Sequence, residues 1–102
     1  MKVKASSRSG GSSMTCKQYT QTLSIVGNNT VTFNDFTDIR MVVINPTSGN
    51  ITNFGYIDEY DTLQQDGSRL DIVKVVSITG NQVVIYVSAS TYGAMKITVA
   101  GV

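Results

Sequence analysis

The chain has 102 residues, one cysteine, no histidine and a formal net charge of +1. This length allows one domain with a modest core, and the absence of histidine excludes Ser-His-Asp and Cys-His catalytic arrangements. Valine, isoleucine and threonine make up 34 residues, against three leucines, four alanines and one glutamate. Because β-branched side chains suit pleated sheets better than helices, the composition predicts an all-β protein.

Residues 1–15 are predicted to form a flexible arm before a folded domain over residues 16–102. The arm is rich in serine and glycine and cannot bury enough apolar surface to offset its ordering entropy. Its charged side chains are all basic, whereas the domain holds more acidic than basic groups. The arm either stays solvated or lies on the acidic surface of a neighbouring copy. Nucleic acid is the least favoured partner, because the basic residues are few and no aromatic residues lie between them.

Three Gly-Asn pairs separate runs of alternating apolar residues, which is typical of strands joined by tight turns. The first pair lies in LSIVGNNTVTF (Leu23–Phe33), where we expect a hairpin between strands over residues 17–26 and 30–34. A three-residue loop with a left-handed Asn29 would place four apolar side chains of this hairpin on one face. They are Leu23, Ile25, Val31 and Phe33.

The middle of the chain predicts a third strand over residues 39–45, a turn at residues 46–50 and a fourth strand over residues 51–57. The third strand, IRMVVIN, is apolar on both faces, so we expect it at the centre of a sheet. Residues 63–67, LQQDG, are predicted to form a loop because they are polar and end in glycine.

A second hairpin is predicted from residues 68–79 and 82–88 around Gly80-Asn81, and a last strand from residues 94–99. Both faces of this hairpin are apolar, and only one can fill the core. Because folded proteins rarely expose such a patch, a further strand, the arm or another subunit should cover it. We expect an assembly interface that includes this face and the basic arm. The predicted interface residues are Lys2, Lys4, Arg8, Val73, Val75, Val84 and Tyr86.

Seven or eight short strands with frequent turns predict a single antiparallel β-sandwich or small jelly roll. No stretch approaches the roughly 20 apolar residues of a membrane-spanning helix. The first 16 residues also lack the apolar centre of a signal peptide.

The segment YIDEYD (Tyr56–Asp61) offers a possible ligand face. Alternation along a strand would place Tyr56, Asp58 and Tyr60 on one face with Phe54, and tyrosine rings beside a carboxylate suit a sugar. The favoured alternative is that Phe54 and Tyr56 belong to the core, with Tyr60 at its rim.

Catalysis and metal binding are less favoured for this segment. Carboxylates on one strand seldom face each other across a substrate, as glycoside hydrolysis requires. A calcium site from Asp58, Asp61 and Asp66 fits no EF-hand spacing. We therefore expect no catalytic, cofactor or metal site.

The short chain without histidine, the arm sequence SSRSGGSS and the hairpin SITGNQVVIY resemble small all-β virion proteins of bacteriophages. Decoration, spike, penton-like, head-fibre and tail modules are examples of this class. The resemblance implies a non-enzymatic structural protein, capsid- or tail-associated, made in the host cytoplasm and located in the virion. Its partners would be copies of itself and other virion proteins. The alternative is a glycan- or receptor-binding β-sandwich module that contacts a host-surface glycan.

Overall fold

The computed structural model describes residues 13–102 as eight strands and one short 3-10 turn, with no α-helix in this range. The strands are β1 (Thr15–Thr22), β2 (Gly27–Thr32), β3 (Ile39–Pro46), β4 (Asn53–Ile57), β5 (Leu63–Gly67), β6 (Val73–Thr79), β7 (Gln82–Val87) and β8 (Ala94–Gly101). Lys2, Lys4 and Arg8 lie outside the described residues.

Two antiparallel sheets form a sandwich, which confirms the predicted fold class. The first sheet has five strands in the order β1-β8-β3-β4-β5, and the second has three in the order β2-β7-β6. As predicted, β3 is the central strand of the larger sheet. β1 pairs with β8 and β2 pairs with β7, which is the nested pairing of a jelly roll. The topology departs from a jelly roll at β3, which pairs with the next strand, β4.

The core lies between the two sheets and is filled by alternate residues of their strands. β7 and β8 show this most clearly, because every second side chain is fully buried and the intervening ones are partly exposed or exposed. The fully buried residues of these strands are Val83, Ile85, Val87, Met95, Ile97 and Val99. Burial of such side chains stabilises a fold by roughly 1.5–3 kcal/mol each.

The predicted hairpin around Gly27-Asn28 is wrong. β1 pairs with β8 in the first sheet and β2 pairs with β7 in the second, so the chain crosses between sheets through residues 23–26. Tyr19 of β1 contacts the segment that follows β2, because its ring centroid lies 4.9 Å from that of Phe33. The Tyr19 hydroxyl also donates a hydrogen bond of 2.9 Å to Asp35.

Asn29 lies inside β2 and does not take the predicted left-handed conformation, because the positive φ belongs to Gly27. The buried Asn29 side chain instead holds the crossover. Its Nδ2 donates to the carbonyls of Ile25 (2.8 Å) and Gly27 (3.2 Å), and its Oδ1 accepts from the Ile25 N–H (3.2 Å). These bonds replace hairpin pairing, and Ile25 is left 58% exposed.

Two boundaries in the second half also differ from the prediction. Residues 63–67 form β5, an edge strand paired with β4, although the sequence predicted a loop. An edge strand with an exposed face needs little apolar alternation, so its sequence resembles a loop. The strand predicted over residues 68–79 begins only at Val73, because residues 69–72 form the passage from the first sheet to the second.

The second hairpin is confirmed, with Thr79 paired to Gln82 across a two-residue turn. Gly80 has φ 58°, and Asn81 has no positive φ, which is the pattern of a type II′ turn. A bulge at Val76 interrupts the register of β6.

The face assignment of β6 is wrong for two predicted interface residues. Val73 and Val75 are fully buried, because they pair with the core-facing Val87 and Ile85. Val84 and Tyr86 point to the other side of the sheet and are half-buried.

The sheets are joined where β4 passes the start of β6, at a contact that we call the inter-sheet clamp. Its centre is Asn53, a fully buried polar residue. The Asn53 Nδ2 donates to the carbonyls of Arg69 (2.8 Å) and Val73 (2.7 Å), and Oδ1 accepts from the Arg69 N–H (3.0 Å). Gln65 adds a hydrogen bond to the Val75 carbonyl, and Gly55 packs so closely against Val75 that a Cβ would have no room.

We expect Asn53→Ala to lower the free energy of unfolding by about 2–4 kcal/mol, because the buried Val73 carbonyl and the Arg69 N–H lose the partner that Asn53 supplies, while the Arg69 carbonyl keeps only its bond from the Ile72 N–H. Urea unfolding of both proteins measures the loss. Asn45→Ala is the matched control, since the Asn45 amide bonds only to Ile51 and Thr52 in a more exposed connection. The control should lose about 1 kcal/mol or less. Equal losses in the two variants would contradict a special role for Asn53.

Candidate functional site

The outer face of the five-stranded sheet carries two rows of side chains that run across all five strands. The first row is Cys16, Ala100, Met41, Tyr56 and Gln64. The second row is Gln18, Thr98, Val43, Phe54 and Asp66. The centre of both rows is apolar, and their ends are polar or small. We call the central group, Met41, Val43, Phe54, Tyr56 and Ala100, the outer patch.

The outer patch is accessible although it lies on the central strands. Met41 is 37% and Tyr56 is 38% exposed, and the other three side chains are half-buried. The rings of Phe54 and Tyr56 stack along β4, with centroids 6.3 Å apart and planes at 24°. Since neighbouring strands lie about 4.8 Å apart, the patch is about 10 Å wide across β8, β3 and β4.

Opposite charges flank the outer patch. Lys96 lies on β8 beside Asn45, and Asp66 lies on β5 beside Phe54. Neither charged group forms a salt bridge with another side chain of residues 13–102. An apolar centre with a polar, charged rim is the usual composition of a protein–protein interface.

The predicted ligand face of Tyr56, Asp58 and Tyr60 is not a strand face. β4 ends at Ile57, and Asp58 organises the turn that follows. Its Oδ1 accepts from the N–H groups of Tyr60 (2.8 Å) and Thr62 (3.0 Å), and its Oδ2 accepts from Gln64 Nε2 (2.9 Å). Tyr60 is 79% exposed in this turn, while Tyr56 belongs to the outer patch.

The sequence showed Met41 and Val43 as one apolar face of β3, and the spacing of two residues placed Phe54 and Tyr56 on one face of β4. The expectation that Phe54 and Tyr56 belong to the core is wrong, because both rings lie on the outer face of the sheet. Which face of β4 points outward follows only from the structure, where Asn53 and Gly55 are buried and alternate with the two rings.

Among residues 13–102, no three carboxylate, cysteine or histidine side chains lie close enough together to hold a metal ion. Asp58, Asp61 and Asp66 therefore do not converge as a set of calcium ligands would. Asp61 instead lies 3.8 Å from Arg40 Nη2.

Within residues 13–102, the structure contains no helix long and apolar enough to cross a membrane.

Comparisons of the chain with protein-family models, with curated proteins and with solved structures found no match. The geometry of the described residues therefore carries the functional argument.

The hydrogen bonds of Asp58 lower the pKa of its carboxyl group, with the Thr62 N–H as the largest cause and the Gln64 amide next. We expect an NMR titration to give Asp58 a pKa below the ordinary aspartate value of about 3.9. Gln64→Ala should raise this pKa, and Gln18→Ala on the same sheet should leave it unchanged.

The sign of the effect on stability follows from this shift. Because the folded pKa lies below the unfolded value, the carboxylate of Asp58 stabilises the fold above the unfolded pKa. This contribution is lost as the pH falls through the folded pKa. A pKa at or above the unfolded value, or one that Gln64→Ala does not change, would contradict the prediction.

Proposed function

We propose that the protein is a non-enzymatic structural subunit that associates with a second copy of itself through the outer patch. The observation that supports this proposal is the contiguous apolar and aromatic surface on the three central strands of the larger sheet. The opposite side of these strands packs in the core between the two sheets, so the patch is a separate surface from the core. Folded proteins rarely leave such a surface in contact with water.

The chemistry around the outer patch favours a protein partner over a sugar. A sugar site needs polar groups that are free to bond hydroxyls beside an aromatic ring. Gln64, the strand partner of Tyr56 on β5, is not free, because its Nε2 donates a hydrogen bond of 2.9 Å to Asp58. The neighbours of Tyr56 on its other side, Met41 and Ala100, are aliphatic. The alternative of a glycan-binding module therefore receives less support on this face.

Charge complementarity favours a second copy as the occupant. A two-fold axis above β3 and parallel to it would lay the β8 side of one copy over the β4 and β5 side of the other. Lys96 of each copy would then approach Asp66 of the other copy around a shared apolar centre. Stacked sheets pack about 10 Å apart with strands within about 30° of each other, and two copies of this face could meet in that way.

We further propose a capsid- or tail-associated position in a virion, on the basis of the resemblance to small bacteriophage virion proteins. Particle surfaces are built from many copies that meet through repeated symmetric contacts, and an isologous sheet face supplies one such contact. The contact of Lys2, Lys4 and Arg8 with acidic surfaces stays a prediction about residues outside the described range.

We expect Val43→Lys to convert a dimer of the full chain into a monomer, because it places a charge at the centre of the apolar contact. Sedimentation equilibrium measures the mass, and circular dichroism checks that the variant is folded. Thr30→Lys is the matched control, since Thr30 is exposed on the smaller sheet and should not affect association. A monomeric wild-type protein at millimolar concentration, or an unchanged mass for Val43→Lys, would overturn the proposal.

Charge reversal tests the two-fold arrangement separately. We expect Lys96→Glu and Asp66→Lys each to weaken the dimer by about two- to fivefold at low salt, since exposed ion pairs contribute less than about 1 kcal/mol. The double variant should regain most of the affinity, and high salt should reduce all differences. If Val43→Lys disrupts the dimer but the double variant shows no recovery, the two-fold arrangement is wrong. The outer patch would then still be the dimer interface.

A further inference from the structure

The outer face of the three-stranded sheet contains a shallow depression, on the opposite side of the sandwich from the outer patch. We propose that this depression binds a carboxylated sugar, that is, a pyranose with an acidic group. We call it the Tyr86 depression. Its lining residues are Asn28, Leu70, Asp71, Lys74, Val76 and Tyr86.

Strand pairing builds the floor of the Tyr86 depression. Tyr86 lies on the middle strand, and its direct partners on the two flanking strands are Asn28 and Lys74. The three side chains therefore form one row across the sheet, about 10 Å from end to end. Val76, the extra residue of the β6 bulge, and Leu70, in the passage before β6, add apolar surface.

The polar groups of this row are available to a ligand. Within residues 13–102, Lys74 forms no salt bridge, and the side chains of Asn28 and Tyr86 form no hydrogen bond. Asp71 differs, because Arg69 binds both of its carboxylate oxygens, Nε to Oδ1 at 2.9 Å and Nη2 to Oδ2 at 2.7 Å. The Arg69–Asp71 pair is neutral as a unit, so Lys74 gives the depression a net positive charge.

The chemistry of this combination fits an acidic sugar. A half-buried tyrosine ring contacts the C–H face of a pyranose, and an amide such as that of Asn28 can both donate to and accept from ring hydroxyls. The Lys74 ammonium pairs with the carboxylate of the sugar. The contrast with the outer patch is direct, because there the polar groups beside the tyrosine bond to each other.

The test is an NMR titration of the ¹⁵N-labelled full chain with D-glucuronate, and with D-glucose and acetate as matched probes. We expect glucuronate to shift the amide signals of Asn28, Lys74 and Tyr86 and to bind in the millimolar range. Glucose, which lacks the carboxylate, and acetate, which lacks the ring, should each bind at least fivefold more weakly. The same shifts should appear in the monomeric Val43→Lys variant, because the two faces are independent.

Variants in the depression distinguish recognition of the carboxylate by Lys74 from recognition of the sugar ring by Asn28. Lys74→Gln should abolish the preference for glucuronate over glucose, and Asn28→Ala should weaken both sugars. Lys17→Gln, which removes one exposed charge from β1, should leave binding unchanged. Absent shifts, shifts centred elsewhere, equal binding of acetate and glucuronate, or an equal loss in Lys17→Gln would each overturn the proposal.

Discussion

The arrangement of the two sheets depends on the hydrogen bonds of one buried side chain, that of Asn53. It lies where the chain leaves the first sheet and enters the second, and it bonds the Arg69 N–H, the Arg69 carbonyl and the Val73 carbonyl. An amide can both donate and accept, so one fully buried side chain holds three backbone groups, and leaving a buried amide or carbonyl without a hydrogen bond is costly. The position of β6 against β4 then determines which face of each sheet becomes the core.

The two outer faces follow from this packing and differ in chemistry. In the larger sheet, the central strand has both neighbours in place and still carries Met41 and Val43 on its outer side. In the smaller sheet, the outer row is Asn28, Tyr86 and Lys74, which is polar at both ends. An apolar face with a polar rim suits another protein surface, whereas a polar row around one ring suits a small ligand. One small sandwich thus presents two outer faces of different chemistry.

The similarity of LSIVGNNTVTF and VSITGNQVVIY shows where local reasoning succeeds and where it fails. Both segments alternate apolar residues around Gly-Asn, and only the second forms a hairpin. In the first segment, the side chain of Asn29 bonds to the backbone of Ile25 across the crossover. A similar sequence therefore connects two different sheets instead of forming a hairpin. The loop prediction for β5 was wrong for a related reason. β5 is a strand because it pairs with β4, and its own side chains show little of the apolar alternation that predicts a strand.

The sequence by itself determined the all-β class, the central place of β3, the turn before β4 and the β6–β7 hairpin. These features depend on side-chain branching, on alternation and on residues that accept positive φ, all of which act within a few neighbouring residues. Only the tertiary structure decided that β1 pairs with β8, that Val73 and Val75 face the core, and that Phe54 and Tyr56 face outward. Pairing joins positions as distant as Thr15 and Gly101, and a bulge at one residue reverses a face, so these outcomes depend on contacts that no local pattern contains.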